Sequence, residues 1–191
     1  MKKLKGTQTE KNLLASFAGE SQARNRYTYF AKKARNEGYL GIAHIFEETA
    51  NHEKEHAKRF FKFLEGGMLE ITATYPAGTI GSTLDNLKAS ANGEHEECTI
   101  IYPEAAEIAK EEGFDDVAKA FEAIALAEQA HEARYKKLAD NIEAGKIFKK
   151  DANVKWKCSN CGYITDGTTA PDNCPACLHA QKYFEIFIEN Y

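Results

Sequence analysis

The segment Glu53–His56, which reads Glu-Lys-Glu-His, decides how the rest of the sequence is interpreted. Side chains three residues apart lie on one face of an α-helix, so the Glu53 carboxylate and the His56 imidazole can bind the same metal ion. The same spacing recurs in Glu128–His131, which reads Glu-Gln-Ala-His. Two facing helices with these pairs would hold two metal ions, and two further helices would each supply one inward glutamate. The repeated motif therefore predicts a two-metal site inside a four-helix bundle.

Apolar residues that recur every three or four positions predict the four helices. Their approximate limits are Thr7 to Gly38, Tyr39 to Gly66, Thr79 to Glu112, and Val117 to Gly145. The Thr7 hydroxyl can cap the first helix, and Pro103 is expected to bend or break the third. Residues 66–78 have no helical periodicity, so we expect them to cross from one helix pair to the other.

Carboxylates interrupt the apolar stripes of these helices. A carboxylate buried among aromatic rings costs several kcal/mol unless it is paired or bound to metal. Glu97 lies one turn beyond Glu94 and is a further candidate ligand, although it could equally be a solvated member of an acidic run. Carboxylate and imidazole ligands suit iron or manganese. The predicted ligands in the helical part are Glu20, Glu53, His56, Glu94, Glu97, Glu128 and His131.

Several neighbouring residues allow two interpretations. One Glu-x-x-His motif alone would more simply be a solvated charge pair, and only its repetition on apolar stripes favours metal. Tyr27 and Tyr102 lie near the site in sequence, so each is either a hydrogen-bond donor to a ligating carboxylate or an ordinary core tyrosine. Cys98 is expected to be a small buried side chain. The residues that fall off the stripes and are expected on the surface are His52, Glu55, His95 and Glu96.

Two Cys-x-x-Cys pairs dominate the end of the sequence. They place the four thiolates of Cys158, Cys161, Cys174 and Cys177 in a tetrahedral cage for one iron or zinc ion. Alone, this pattern is more often a structural zinc ribbon, but a two-metal site that is oxidised by its substrate needs an electron relay, which favours iron. Residues 146–155 are predicted to be a linker. The β-rich segment 156–191 is too small to fold on its core alone, so metal is expected to stabilise it.

The composition restricts the partners and the location. Lys and Arg total 25 against 29 Asp and Glu, and this net charge of -4 argues against a nucleic-acid partner. We expect no membrane span, because no apolar run approaches about 20 residues. The N-terminal stretch has no hydrophobic signal core, and four of the five cysteines form the metal-type pairs. These features predict a cytoplasmic protein.

The order of these motifs along the chain resembles the rubrerythrin family. The resemblance covers essentially the whole chain and rests on Glu20, Glu53-x-x-His56, Glu94-x-x-Glu97, Glu128-x-x-His131 and the paired cysteines. It implies a mainly α fold, with a ferritin-like four-helix bundle over residues 1–145 and a rubredoxin-like domain over residues 156–191. One departure is Leu178 after the last cysteine, where free-standing rubredoxins usually have glycine.

The resemblance also implies a function. Hydrogen peroxide would be reduced to water at a carboxylate-bridged diiron centre, with electrons relayed through the four-cysteine iron. Glu53 and Glu128 would bridge, Glu94 and His131 would serve one iron, and Glu20 would serve the other, where His56 and Glu97 exchange on oxidation. Tyr27 and Tyr102 would be supporting residues. The implied partners are a reduced donor, either rubredoxin or an NAD(P)H-dependent reductase, and a second copy of the chain in a homodimer.

Two other functions fit the same motifs less well. One is a ferritin-like ferroxidase or iron-storage protein whose cysteines bind zinc structurally, which predicts a colourless tail. The other is a helical interaction module with a zinc ribbon, in which the buried carboxylates would be structural. The number of inward carboxylates and the paired metal motifs favour the peroxidase, a protein of oxidative-stress protection.

Overall fold

A threonine cap and a left-handed glycine set the limits of the first helix. In the computed structural model, which describes residues 3–189, helix α1 spans Gln8–Asn36. The Thr7 hydroxyl accepts a hydrogen bond from the Glu10 amide at 3.1 Å, as predicted. Gly38 has a φ of +87°, which reverses the chain into α2, Leu40–Phe61. Helix α2 therefore ends before the predicted limit at Gly66.

The third helix contains a wide turn that the sequence analysis did not predict. It consists of α3, Thr83–Glu96, a π-helical segment, Glu97–Ile101, and α4, Tyr102–Glu111. It begins at Thr83, after a capping box formed by Ser82 and Asp85, and not at Thr79. Pro103 lies in the first turn of α4, so the irregularity immediately precedes the position where a bend or break was predicted.

Helix α5, Asp115–Glu143, completes the bundle. Helix α1 packs on α2, and the third helix packs on α5, while residues 62–82 connect the two pairs without regular structure. Buried side chains form two apolar clusters, one around Phe46 and Tyr135 and the other around Phe60 and Phe121. The four-helix bundle predicted from periodicity is therefore confirmed, and its core is divided into two parts. None of the helices among residues 3–189 is both long and apolar enough to span a membrane.

The tail forms a three-stranded antiparallel sheet with strand order β2-β1-β3. The strands are β1, Lys149–Cys158, β2, Ile164–Thr169, and β3, Phe184–Ile186. Strand β1 begins inside the predicted linker 146–155, because its first residues pair with β2 through an irregular register between Lys149 and Val154. Trp156 is buried against Phe184 in a small core. The predicted domain limits at residues 1 and 191 lie outside the described residues.

Candidate metal centres

The inward carboxylates occupy the gap between the two apolar clusters. Each lies on its helix between residues of one cluster and residues of the other, as Glu20 lies between Leu13 and Tyr27 on α1. Glu20, Glu53, Glu94 and Glu128 are all at most 1% exposed. Four buried carboxylates in an apolar bundle are strongly unfavourable unless cations or protons neutralise them.

Two of these carboxylates are shared between the two imidazoles. Glu53 has one oxygen 3.0 Å from His56 Nδ1 and the other 3.3 Å from His131 Nδ1. Glu128 likewise places its two oxygens 2.8 Å from the same two nitrogens. Glu20 approaches only His56, at 3.8 Å, and Glu94 approaches only His131, also at 3.8 Å. The six side chains thus form two overlapping groups of potential ligands with Glu53 and Glu128 in common.

Unpartnered polar atoms in the cluster show whether metal ions would fit there. Among residues 3–189, one or both carboxylate oxygens of each of Glu20, Glu53, Glu94 and Glu128 are buried without a hydrogen-bond partner, as is His131 Nδ1. His56 Nδ1 is within hydrogen-bonding distance of the other Glu53 oxygen, while the unpartnered atoms lie close together and converge on common points. Buried polar atoms are rarely left in this condition without a ligand. The ligand types and their convergence therefore fit two divalent iron ions.

Without metal ions, the buried histidines and carboxylates change one another's pKa values. Burial acts to lower the pKa of both histidines, but the close carboxylates of Glu128 and Glu53 raise the pKa of His56 to about 9 and that of His131 to about 12. Burial raises the pKa of Glu94 to about 8. Although burial acts to raise it, the two neighbouring imidazoles of His131 and His56 lower the pKa of Glu128. Protons thus neutralise a cluster that two cations would otherwise neutralise.

The two candidate tyrosines cross between the helix pairs. Tyr27 on α1 donates a hydrogen bond of 2.5 Å to Glu94 on α3, and Tyr102 on α4 donates one of 2.5 Å to Glu20 on α1. Both rings are 1% exposed. Each hydroxyl therefore holds the carboxylate that is unique to one of the two ligand groups and fixes its orientation.

Glu97 lies outside both ligand groups. It is half-buried at the start of the π-helical segment, and burial, together with the neighbouring carboxylates of Glu94 and Glu128, raises its pKa well above the usual value. It borders a cavity of about 670 Å³ between α1 and the third helix, which Tyr75 of the connecting segment partly covers. Among the predicted ligands, His56 is therefore inside the cluster and Glu97 is beside it.

Three residues near the site have contacts that the sequence analysis missed. His52 is exposed as predicted, but its Nδ1 lies 3.1 Å from His131 Nε2 and the two rings stack. Cys98 is not a buried core residue, because it is half-buried with its Sγ 3.5 Å from Glu132. Glu132 itself is only 8% exposed. The one feature of the sequence that could have indicated that Glu132 lies near the site is its position directly after His131.

The four tail cysteines converge as predicted. Cys158 Sγ lies 3.8 Å from Cys177 Sγ, Cys161 Sγ lies 3.6 Å from Cys174 Sγ, and all four sulfurs lie within 4.8 Å of one another. A tetrahedral site with metal–sulfur bonds of about 2.3 Å requires sulfur separations of about 3.8 Å. The cage therefore fits one tetrahedral ion.

Comparisons with known proteins agree with this division of the chain. A family profile described as Rubrerythrin matches residues 11–139, and one described as Rubrerythrin, rubredoxin-like domain matches residues 156–185. The chain is 59% identical over 195 residues to a rubrerythrin of Clostridium perfringens, and both chains are covered in full. It is 54% identical over 191 residues to a rubrerythrin of Nitratidesulfovibrio vulgaris, again with full coverage of both. A structure of partially reduced nigerythrin matches with a TM-score of 0.64 and 34% identity, covering 97% of this chain and 89% of that one.

Proposed function

Because the chain belongs to the rubrerythrin family, we propose that it is a peroxidase that reduces hydrogen peroxide to water at a diiron centre. Electrons would arrive through an iron ion in the four-cysteine cage of the rubredoxin-like domain. The observation that carries the proposal is the sharing of Glu53 and Glu128 between His56 and His131. Shared carboxylates would hold two ions close together, which suits a substrate that accepts two electrons.

The geometry supports a distinct set of ligands for each iron. The first would be held by Glu20, Glu53, His56 and Glu128, and the second by Glu53, Glu94, Glu128 and His131. Glu97 would exchange with His56 when the irons are oxidised, because a more highly charged pair favours an additional carboxylate. The half-buried position of Glu97 on the wide π-helical turn, outside the cluster but near it, supports this role. Tyr27 and Tyr102 would keep Glu94 and Glu20 oriented.

The cavity beside Glu97 is the proposed access route for the substrate. Its volume of about 670 Å³ exceeds what peroxide needs, and it reaches from the connecting segment at Tyr75 and Pro76 to Glu97 and Tyr102. When bound, each iron would supply one electron as the oxygen–oxygen bond breaks. The two apolar clusters on either side of the carboxylates would exclude water, so that water would reach the site only through this cavity.

We also propose the assembly and the partners that the resemblance implies. The chain would act in the cytoplasm as a homodimer and would receive electrons from a reduced donor, rubredoxin or an NAD(P)H-dependent reductase. Exposed apolar side chains support a dimer, since Phe61 is 57% exposed and Met68 is fully exposed. Analytical ultracentrifugation of the iron-loaded protein tests this assembly. A monomer at micromolar concentration would contradict it.

An anaerobic visible spectrum of reduced, iron-loaded protein tests the reaction. Stepwise addition of peroxide should turn the bleached tail red as peroxide is consumed, and a metal count should give three irons per chain, two from the helical site and one from the cysteine cage. A tail that carries zinc, with no spectral change on peroxide addition, would instead support the iron-oxidising or storage alternative.

A glutamate pair tests the exchange of ligands. Glu97→Ala should leave iron binding largely intact but slow peroxide turnover, because Glu97 lies outside the two ligand groups. Glu96→Ala, which removes an exposed carboxylate from the adjacent position, is the matched control and should turn over normally. Loss of both irons from Glu97→Ala would mean that Glu97 is an obligatory ligand in every oxidation state.

A further inference from the structure

A third group of potential metal ligands lies on the outer side of the bundle, separate from the diiron ligands and the cysteine cage. It consists of His95, Cys98 and Glu132, whose ligand atoms all lie within 4.8 Å of one another. We propose that this group binds a divalent ion of borderline softness, represented by Zn²⁺. The site goes beyond the peroxidase function, because none of its three residues belongs to either ligand group of the diiron centre.

The separations of the three side chains are close to those that a tetrahedral ion requires. His95 Nδ1 lies 3.0 Å from one oxygen of Glu132, and Cys98 Sγ lies 3.5 Å from the other. In a tetrahedral zinc site with bonds of about 2.0–2.3 Å, neighbouring ligand atoms are about 3.3–3.8 Å apart. Small rotations of the exposed His95 side chain would therefore complete a three-ligand site, with water in the fourth position.

The local backbone explains why these ligands meet. His95 lies in the last turn of α3, and Cys98 lies in the π-helical segment three residues later. Both face the same carboxylate on α5, since each has its own contact with Glu132. An ion at this place would tie the π-helical segment to α5.

The types of ligand select the class of ion. One sulfur, one imidazole nitrogen and one carboxylate oxygen suit Zn²⁺, whereas Mg²⁺ and Ca²⁺ require oxygen ligands throughout. On binding, the Cys98 thiol proton would pass to solvent, since the thiolate is the ligand.

An existing ion pair competes with the proposed ion. The Lys136 ammonium contacts Glu132 on the side that faces His95, so the cluster could simply be a network of charged side chains. The Lys136 side chain is 57% exposed whereas that of Glu132 is 11% exposed, so the ammonium can return to water while a divalent ion takes over the neutralisation of the carboxylate. Lysine can therefore leave the carboxylate when a divalent ion arrives, and the hydrogen bond that the Cys98 thiol donates to the other oxygen of Glu132 would be replaced by a metal–sulfur bond.

Protection of Cys98 from alkylation tests the site in the iron-loaded, anaerobic protein. The four tail cysteines are then bound to iron, so Cys98 is the one remaining thiol of the five in the chain. Its rate of alkylation by iodoacetamide is measured by peptide mass spectrometry, with and without one equivalent of zinc chloride. The rate should fall at least about tenfold, because a coordinated thiolate is a poor nucleophile. One zinc per chain should survive gel filtration while the iron count stays unchanged.

Surface variants test whether zinc protects Cys98 through the proposed ligands. His95→Ala should abolish the protection, Lys136→Ala should retain it at lower zinc concentration, and His44→Ala, which removes another exposed histidine, should behave as the unmodified chain. An alkylation rate that zinc does not change would overturn the proposal. Equal protection in His95→Ala would also overturn it, as would zinc uptake matched by iron loss with Cys98 still reactive.

Discussion

Removing the metals should make the stability of the bundle depend steeply on pH. In the metal-free site, burial raises the pKa of Glu94 from 4.5 to about 8, and hydrogen bonds to carboxylates, acting against burial, raise that of His56 from 6.5 to about 9. Both groups bind protons more tightly in the folded state than in the unfolded state. Their stabilisation is therefore present at low pH and is lost as pH rises, between 4.5 and 8 for Glu94 and between 6.5 and 9 for His56.

The magnitude follows from proton counting at neutral pH. At pH 7 both groups are mostly protonated in the folded chain, whereas in the unfolded chain Glu94 is ionised and His56 is mostly neutral. These two groups thus give the folded state nearly two extra protons and a slope of about -2 kcal/mol per pH unit, and His131, whose pKa is raised to about 12, makes the slope steeper in the same direction. Between pH 6 and pH 8 these two groups alone account for a loss of about 4 kcal/mol, a large part of the roughly 5–15 kcal/mol that stabilises a typical domain. The lowered pKa of Glu128 acts below 4.5 and does not affect this interval.

Urea unfolding followed by circular dichroism at 222 nm measures this dependence, with chelator-treated protein under reducing conditions and constant ionic strength. The midpoint should fall by about 1–2 M between pH 6 and pH 8. Glu94→Gln should make the slope shallower, since one of the titrating groups is removed. Iron-loaded protein should show little change, because coordinated ligands do not take up protons in this range. A metal-free midpoint that is constant or rises over this interval would refute the reasoning.

Two further substitutions test individual interactions. Tyr102→Phe should destabilise the iron-loaded bundle by about 1–3 kcal/mol in urea unfolding, because it removes the buried hydrogen bond to Glu20, whereas Tyr29→Phe at an exposed position should have no effect. Leu178→Gly should slow iron release from the tail to a chelator, because Leu178 has a left-handed φ of +62° that glycine adopts without strain. Relief of this strain is worth about 1–2 kcal/mol, which outweighs the cost of about 0.5–1 kcal/mol from the greater entropy of glycine in the unfolded chain. Faster release would contradict this, and Gly162→Ala at a φ of +79° should act in the opposite direction.

Helical periodicity was sufficient to predict which glutamate and histidine side chains of the two Glu-x-x-His motifs face inward. Glu53 and His56, like Glu128 and His131, lie three residues apart in regular α-helices, so sequence spacing translates directly into a shared face. The cysteine cage was equally accessible, because Cys-x-x-Cys spacing is itself the geometry of a metal-binding turn. Strand β1 was partly missed, since its first residues pair irregularly and carry no alternating pattern.

Contacts between helices could not be predicted from the sequence, because the periodicity of one helix does not show which residues of another helix lie opposite it. The partner of Tyr27 is on α3 and that of Tyr102 is on α1, so neither can be assigned without the arrangement of the bundle. The stacking of His52 on His131 and the contact between Cys98 and Glu132 are also interhelical. Side chains off the apolar stripe can thus lie against the site when a neighbouring helix turns towards them.

The π-helical segment did leave a signal in the sequence. Tyr27 follows Glu20 by seven residues, which is two turns of a regular α-helix, whereas Tyr102 follows Glu94 by eight. Both tyrosines nevertheless face the site, so the third helix must contain one extra residue between Glu94 and Tyr102, which is the definition of a π-bulge. The wide turn begins at Glu97. The two halves of the bundle therefore differ at the position of Glu97, and this local insertion supports our proposal that one iron would exchange a ligand while the other would keep its own.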